Sequence, residues 1–233
     1  MKDMRRLKIQ KAISKIPLDM KEFRRIMGFG EVMPPPFDHI FESVSTALQM
    51  GTARAEALIF DHDEVEMQKS AIVIKGIPFD TGSRVANWLK HCTGAALFIC
   101  TLGIEFEQQM KSLQNDPVEA WFADAIGSLK CEAFADMVHR QIGEEVSKEG
   151  LSMTNRNSPG YCNWSVGEQQ KLFTFFRQNS TGITINSSSL MSPIKSISAL
   201  AGIGKKVKKT PYICDVCTDS HCAYRKAPQS NKK

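Results

Sequence analysis

The stretch GAALFICTLG, residues 94–103, constrains the fold most. Its centre is continuously apolar and does not alternate, which predicts a strand covered on both faces. It is far too short to cross a bilayer. A chain with such a strand must supply material for two covering layers. At 233 residues, 42% hydrophobic and 24% charged, this one has enough. Gly103 then turns the chain into a helix, GIEFEQQMKSL. A strand-glycine-helix step can cradle a phosphate, but a single glycine specifies little beyond α/β packing.

The elements on either side follow from periodicity and punctuation. Residues 1–33 read as helical and peripheral, up to the break at Pro34, Pro35 and Pro36. Asp38 opens a helix with Ile40, Phe41, Val44, Ala47 and Leu48 on one face, ending at Gly51. EALIF (56–60) and AIVIKGI (71–77) read as strands, joined by an exposed acidic turn, DHDEVE. Residues 82–92 form a short helix with Val85, Trp88 and Leu89 inward. Asp116-Pro117-Val118-Glu119 is a helix start: aspartate caps, proline occupies the first helical position and glutamate completes a capping box. That helix runs to about Lys148. Its broad apolar face includes Trp121, Phe122, Ile126, Phe134 and Val138, and Ser128, Glu132, Asp136 and His139 form a polar stripe. Ser165-Val-Gly-Glu168 is a second capping box, ahead of a helix burying Leu172, Phe173, Phe175 and Phe176. GITIN (182–186) and the region 190–204, which alternates from Lys195 to Leu200, read as strands. Helices and strands are mixed without strict alternation. The expected fold is therefore α+β, a mainly antiparallel twisted sheet flanked by helices, one of them long.

The net charge of +5 is unevenly placed. Residues 204–233 carry eight Lys or Arg against two Asp, a surplus of +6, so the rest of the chain is close to −1. The basic character belongs to a tail and does not point to nucleic acid. No secretory signal and no apolar run of membrane-spanning length is present, so a cytoplasmic location is expected, with no membrane contact. The organisation expected is one domain over 1–204, helical over 1–50, and a basic tail over 205–233. Seven cysteines, an odd number, argue against a disulfide scaffold. Cys92, Cys100 and Cys131 sit in apolar contexts as small core residues. The tail instead spaces Cys214, Cys217 and Cys222 as Cys-x2-Cys-x4-Cys, a pattern that brings three thiolates to one ion or cluster. His221 or Cys162 could supply a fourth ligand. Zinc and an iron–sulfur cluster both remain open, as do free thiols.

The segment RNSPGYCNW, 156–164, holds more than a connector needs. Arg156 can bind a carboxylate in bidentate fashion. Pro159-Gly160 allows close approach to the main chain. Tyr161 and Trp164 offer faces for a flat ring or a sulfonium cation. Those groups suit an amino-acid-bearing nucleoside. They equally suit an ordered loop with its aromatic residues in the core.

This loop resembles the Arg-x-x-x-Gly-Tyr fingerprint of the activation domain of cobalamin-dependent methionine synthase. CEAFADMVHRQI (131–142) is similar to the same family's Glu-Ala-Phe-Ala helix, and GITINSSSLMSPIKSIS (182–198) to its glycine-led strand followed by Met-x-Pro and Ser-x-Ser. The three blocks keep the family's order and cover roughly 125–200. The resemblance implies a domain that binds S-adenosylmethionine and docks on a cobalamin domain. There, one-electron reduction coupled to methyl transfer converts inactive cob(II)alamin back to methylcobalamin. It implies that Arg156 holds the methionine carboxylate, that Ser158 and Gly160 meet the ligand through backbone, that Tyr161 packs beside it and that Glu132 binds its polar groups. Cobalamin would come only with a partner, a corrinoid methionine synthase or methyltransferase, and electrons from a flavodoxin- or ferredoxin-type donor. The chain lacks the family's folate, homocysteine and cobalamin modules and is not expected to synthesise methionine by itself. It also lacks the tyrosines that follow the Ser-x-Ser strand. The cysteine tail resembles the tails of the family's stand-alone members. The alternatives are an iron–sulfur electron-transfer protein that reduces a corrinoid, and a corrinoid-protein-binding module without catalysis.

Overall fold

The computed structural model describes residues 5–209. Along the chain run β1 (Arg5–Ala12), α1 (Met20–Ile26), α2 (Phe37–Ala47), β2 (Thr52–Phe60), β3 (Val65–Met67), β4 (Ile72–Ile74), β5 (Ile77–Phe79), α3 (Gly82–Leu89), β6 (Gly94–Thr101), α4 (Ile104–Ser112), α5 (Pro117–Ser147), β7 (Ser152–Met153), α6 (Gln169–Thr174), β8 (Thr184–Ile185), β9 (Met191–Ser192) and β10 (Ser196–Gly204). The main sheet is antiparallel throughout, in the order β1-β2-β6-β10-β7. The run that reads as doubly covered is β6, and every one of its residues is buried.

Strand periodicity sorts the sheet into two faces. Ala96, Phe98 and Cys100 of β6 enter one core, and Ala95, Leu97 and Ile99 enter the other. The first face is paved with small side chains: Ala53, Ala55, Ala57, Ala96, Ala199 and Ala201. Such a surface lets a helix lie close. The helix is α5, 31 residues and about 46 Å long. Asp116 caps it, accepting from the amides of Val118 and Glu119 at 2.7 and 3.2 Å, with Pro117 at the first turn. Phe122, Ile126, Phe134, Val138 and Ile142 of α5 fill that core, where Phe122 meets Phe23 edge-on. Lys130 is also buried there. Its ammonium donates to the carbonyls of Ile13 and Ile16 at 3.1 and 3.0 Å, tying the turn after β1 to α5, and burial lowers its pKa. The second face is covered by the β3-β4-β5 sheet, α3 and α6.

Several sequence expectations need correction. Residues 1–33 are not mainly helical, since 5–12 form β1. Leu7 and Ile9 turn inward, whereas Lys8 and Gln10 are exposed, which is strand period rather than helix period. Charged outward residues are what an edge strand tolerates. Residues 71–77 are two strands, because Lys75 and Gly76 both take positive φ (48° and 78°) and close a two-residue hairpin between β4 and β5. Trp88 and Trp121 are 41% and 48% exposed, not core. The alternation read over 195–200 does not persist, because β10 is buried on both faces from Ser198 onward. Val207, beyond the expected boundary at 204, still packs into the second core. Cys214, Cys217, Cys222 and His221 lie outside the described residues. Among the described residues, no helix is long and apolar enough to cross a membrane.

Candidate functional site

After β7 the chain stays against β10 as an irregular edge. Thr154 donates its amide to the Gly202 carbonyl, and the Gly202 amide donates to Thr154 Oγ1, both at 2.9 Å. Asn157 and Leu200 exchange amide hydrogen bonds of 2.8 Å. These bonds fix the backbone on both sides of Arg156, and its side chain reaches α5.

Downstream, the loop folds on itself. The Gly160 amide donates to the Trp164 carbonyl at 2.8 Å, and the Trp164 amide to the Tyr161 carbonyl at 2.9 Å. Gly160 (φ 95°) suits that turn. Cys162 (φ 55°) and Asn163 (φ 66°) adopt the same left-handed region without being glycine. Such residues store about 1–3 kcal/mol each and persist only where surrounding contacts hold them. The holding contact is Trp164, only 1% exposed and set edge-on to Phe79 at 6.4 Å. Among the described residues its Nε1 is buried without a hydrogen-bond partner. Trp164 is therefore a core anchor, and the sequence expectation of an aromatic face there fails. Tyr161, 62% exposed, keeps its ring at the surface.

Arg156 lies between two carboxylates one helical turn apart. It pairs with Glu132 through a short ion pair and with Asp136 from Nε at 3.3 Å and from its terminal nitrogen at 3.2 Å. Burial works against its charge, but Glu132 and then Asp136 outweigh it and raise the pKa above the ordinary arginine value. Only 17% of the arginine side chain is exposed, whereas both carboxylates are open to solvent. One guanidinium against two carboxylates leaves the cluster with one unit of negative charge. An α-amino acid presents the complementary pair, a carboxylate for Arg156 and an ammonium for Glu132 or Asp136.

Of the expected site residues, Arg156 and Glu132 are in contact. Ser158, Gly160 and Tyr161 follow on the same loop. The Gly160 amide is already engaged, so that residue offers its carbonyl and its bare Cα. Cys162 is half-buried against the second core. The sequence marks Asp136 only as part of the polar stripe on α5, not as a partner of Arg156. Asp136 repeats Glu132 one turn later, which is the signal that could have found it. Asp124 and Ser128 continue the row, and Lys195 clamps them from Nζ at 2.7 and 2.9 Å. A Cβ at Gly127 would lie 2.9 Å from the Lys195 stem, so glycine leaves room for that side chain. Among the described residues, no group of three or more His, Cys, Asp or Glu is placed to hold a metal.

His139 is buried, and its Nε2–H donates to the Thr154 carbonyl at 2.9 Å, bracing α5 against the start of the loop. Burial is the largest cause of its lowered pKa. The unfolded chain therefore binds a proton near the usual value of 6.5 that the folded chain refuses. Its contribution is fully present above that pH and is lost as pH falls through the lowered folded pKa. Between pH 7.5 and 5.5 the melting temperature should fall more in the native protein than in His139→Gln, which keeps a donor but does not titrate. Equal falls in thermal melts would remove this role.

The chain matches the family model described as vitamin B12 dependent methionine synthase, activation domain, over residues 90–226. Among solved structures it is similar to the MetH reactivation domain crystallised with AdoHcy. That match has a TM-score of 0.64 and 13% identity, over 90% of this chain and 81% of that one. At that identity the likeness establishes the fold, an antiparallel sheet with a long helix. A comparison with curated protein sequences finds no match.

Proposed function

We propose, for a chain that belongs to the vitamin B12 dependent methionine synthase activation-domain family, that it binds S-adenosylmethionine beside Arg156 and supports remethylation of cobalamin on a separate corrinoid protein. The observation that carries this reading is the Arg156 guanidinium set between Glu132 and Asp136. It presents opposite charges side by side, as an amino acid's carboxylate and ammonium do. In the free protein these groups satisfy one another. Ligand entry would exchange partners rather than expose a bare charge, so desolvation is limited.

The roles divide as follows. Arg156 takes the methionine carboxylate, and Glu132, helped by Asp136, takes the ammonium. Ser158 and Gly160 meet the ligand through main chain, and Tyr161 packs against it. S-adenosylmethionine supplies the methyl group through its sulfonium. The protein's own work is to hold and orient that ligand and to dock on a cobalamin-carrying methionine synthase or related methyltransferase in the cytoplasm. A flavodoxin- or ferredoxin-type protein supplies the electron. Residues 1–207 are assigned to the binding domain, since Val207 still packs into its second core, and 208–233 to the tail. On spacing alone, Cys214, Cys217 and Cys222, with Cys162, are assigned as ligands for zinc or an iron–sulfur cluster.

The test is reconstitution. Cob(II)alamin-loaded corrinoid protein, S-adenosylmethionine and a one-electron reductant are mixed with and without this protein, and the visible spectrum is followed. Methylcobalamin and S-adenosylhomocysteine forming in equal amounts, only with the protein present, is the expected result. No change in rate on adding the protein would contradict trans reactivation. Ligand binding without that rate effect would leave a non-catalytic docking module.

A further inference from the structure

The Arg156 cluster holds one cation and two anions. Arg156 contacts a single oxygen of each carboxylate, Oε2 of Glu132 and Oδ1 of Asp136. Among the described residues, Glu132 Oε1 and Asp136 Oδ2 take no hydrogen bond or ion pair, and Arg140, one turn beyond Asp136, pairs with neither carboxylate. The two carboxylate side chains are 47% and 61% exposed, so both unused oxygens can be reached without displacing Arg156. S-adenosylmethionine carries the inverse set, one carboxylate against two cations, its ammonium and its sulfonium. Glu132 and Asp136 are one turn apart on α5, about 6 Å along the helix axis. In the ligand, four single bonds separate ammonium from sulfonium, a span of about 5 Å when extended.

We propose, on the reading that S-adenosylmethionine binds beside Arg156, that Asp136 is the counter-charge of the sulfonium and makes the site select the methyl donor over its demethylated product. With the ligand carboxylate on Arg156 and the ammonium on Glu132, one charge is left over on each side. Asp136 is the one on the protein, and the sulfonium is the one on the ligand.

The selection bears on turnover. When the methyl group is transferred, the reduced corrinoid supplies the electron pair of the new bond. The carbon–sulfur pair stays on sulfur, and the sulfonium becomes a neutral thioether. The product then carries only the carboxylate and the ammonium, and Asp136 has lost its cation. A unit charge pair about 5 Å apart and partly open to water is worth roughly one power of ten in affinity. S-adenosylhomocysteine is therefore held less tightly than the donor, and exchange of one for the other follows the transfer.

The test is calorimetric titration of S-adenosylmethionine and S-adenosylhomocysteine into full-length native protein, Asp136→Asn and Asp124→Asn. Asp124 lies about three turns before Asp136 on α5 and pairs with Lys195, so its loss controls for the general field of the helix. In the native protein, S-adenosylmethionine should bind at least about ten-fold more tightly than S-adenosylhomocysteine. Asp136→Asn should bring the ratio to about two or below by weakening S-adenosylmethionine alone. Unchanged binding of S-adenosylhomocysteine in that variant shows that the site is still folded. Asp124→Asn should keep the native ratio. A native ratio near one would overturn the proposal and leave ligand binding at Arg156 standing. So would a preference that survives Asp136→Asn, or one lost equally in Asp124→Asn. Binding of neither compound to the native protein would overturn the ligand reading, and the proposal with it.

Discussion

Replacing Arg156 with alanine should weaken S-adenosylmethionine binding by at least about 50-fold. Truncating one partner of a shielded charge pair at a binding site typically costs about 2–5 kcal/mol, because the other charge is left without its counterpart. Arg156 is largely shielded and is fixed from both sides by backbone bonds to β10. Its removal also leaves Glu132 and Asp136 as an exposed pair of like charges facing the ligand's carboxylate, so attraction becomes repulsion. Arg156→Lys should restore only part of the affinity, since an ammonium cannot reproduce the planar fork. Glu132→Gln should cost less, about five- to ten-fold, because Asp136 remains to meet the ligand ammonium. Calorimetric titration of the three variants gives the order. If Arg156→Ala and native protein bound alike, the ligand would have to sit elsewhere.

The largest stability effect is expected at Gly202. A Cβ built there would lie 2.0 Å from Cys92 Sγ, 2.9 Å from Leu89 Cδ2 and 3.1 Å from Cys92 Cβ. Gly202 sits on the second face of β10, and its amide and carbonyl are both bonded to Thr154, so the strand cannot retreat. Overpacking of this kind costs about 1–3 kcal/mol. Gly202→Ala should fall at the upper end of that range, and Gly202→Val beyond it. Burial pushes the Cys92 thiol pKa up to about 12, so it is a packing atom and not a reactive one. In Cys92→Ala/Gly202→Ala the sulfur is gone, and part of the loss should return as a coupling energy in a double-mutant cycle of urea unfolding. Strict additivity would mean that the close approach at Gly202 is not what makes glycine necessary. Thr154 also accepts from His139, so Gly202 supports the same stretch of backbone that leads to Arg156.

What the sequence disclosed follows from how local each signal is. Asp116-Pro117 marks the start of α5 because a cap needs only its own next three residues. The apolar run at 94–103 announces double burial because both covers demand the same side chains. β1 was misread since its basic residues hide a period of two that matters only once β2 lies beside it. Hairpin closure at Lys75-Gly76 rests on a lysine with positive φ, for which sequence gives little warning. At the site, Arg156 and Glu132 were identified through the family fingerprint, and their contact is a matter of tertiary structure. Asp136 and Asp124 belong to the same stripe, but their pairing with Arg156 and Lys195 depends on where β10 and its flanking loops meet α5. Trp164 shows the limit of reading residue type alone. Its aromatic face is consumed in holding the strained turn at Cys162 and Asn163, and Tyr161 is the ring that stays exposed.

The most direct measurement is a parallel calorimetric titration of S-adenosylmethionine and 5′-methylthioadenosine into the anaerobically purified, full-length protein. The two share the nucleoside, and only the first carries the amino acid proposed to meet Arg156, Glu132 and Asp136. Saturable binding of S-adenosylmethionine, with the truncated nucleoside at least about 50-fold weaker, is the expected result. Equal affinities, or no heat from either at millimolar concentration, would contradict a cofactor site at Arg156 and leave the loop as an ordered edge of the sheet.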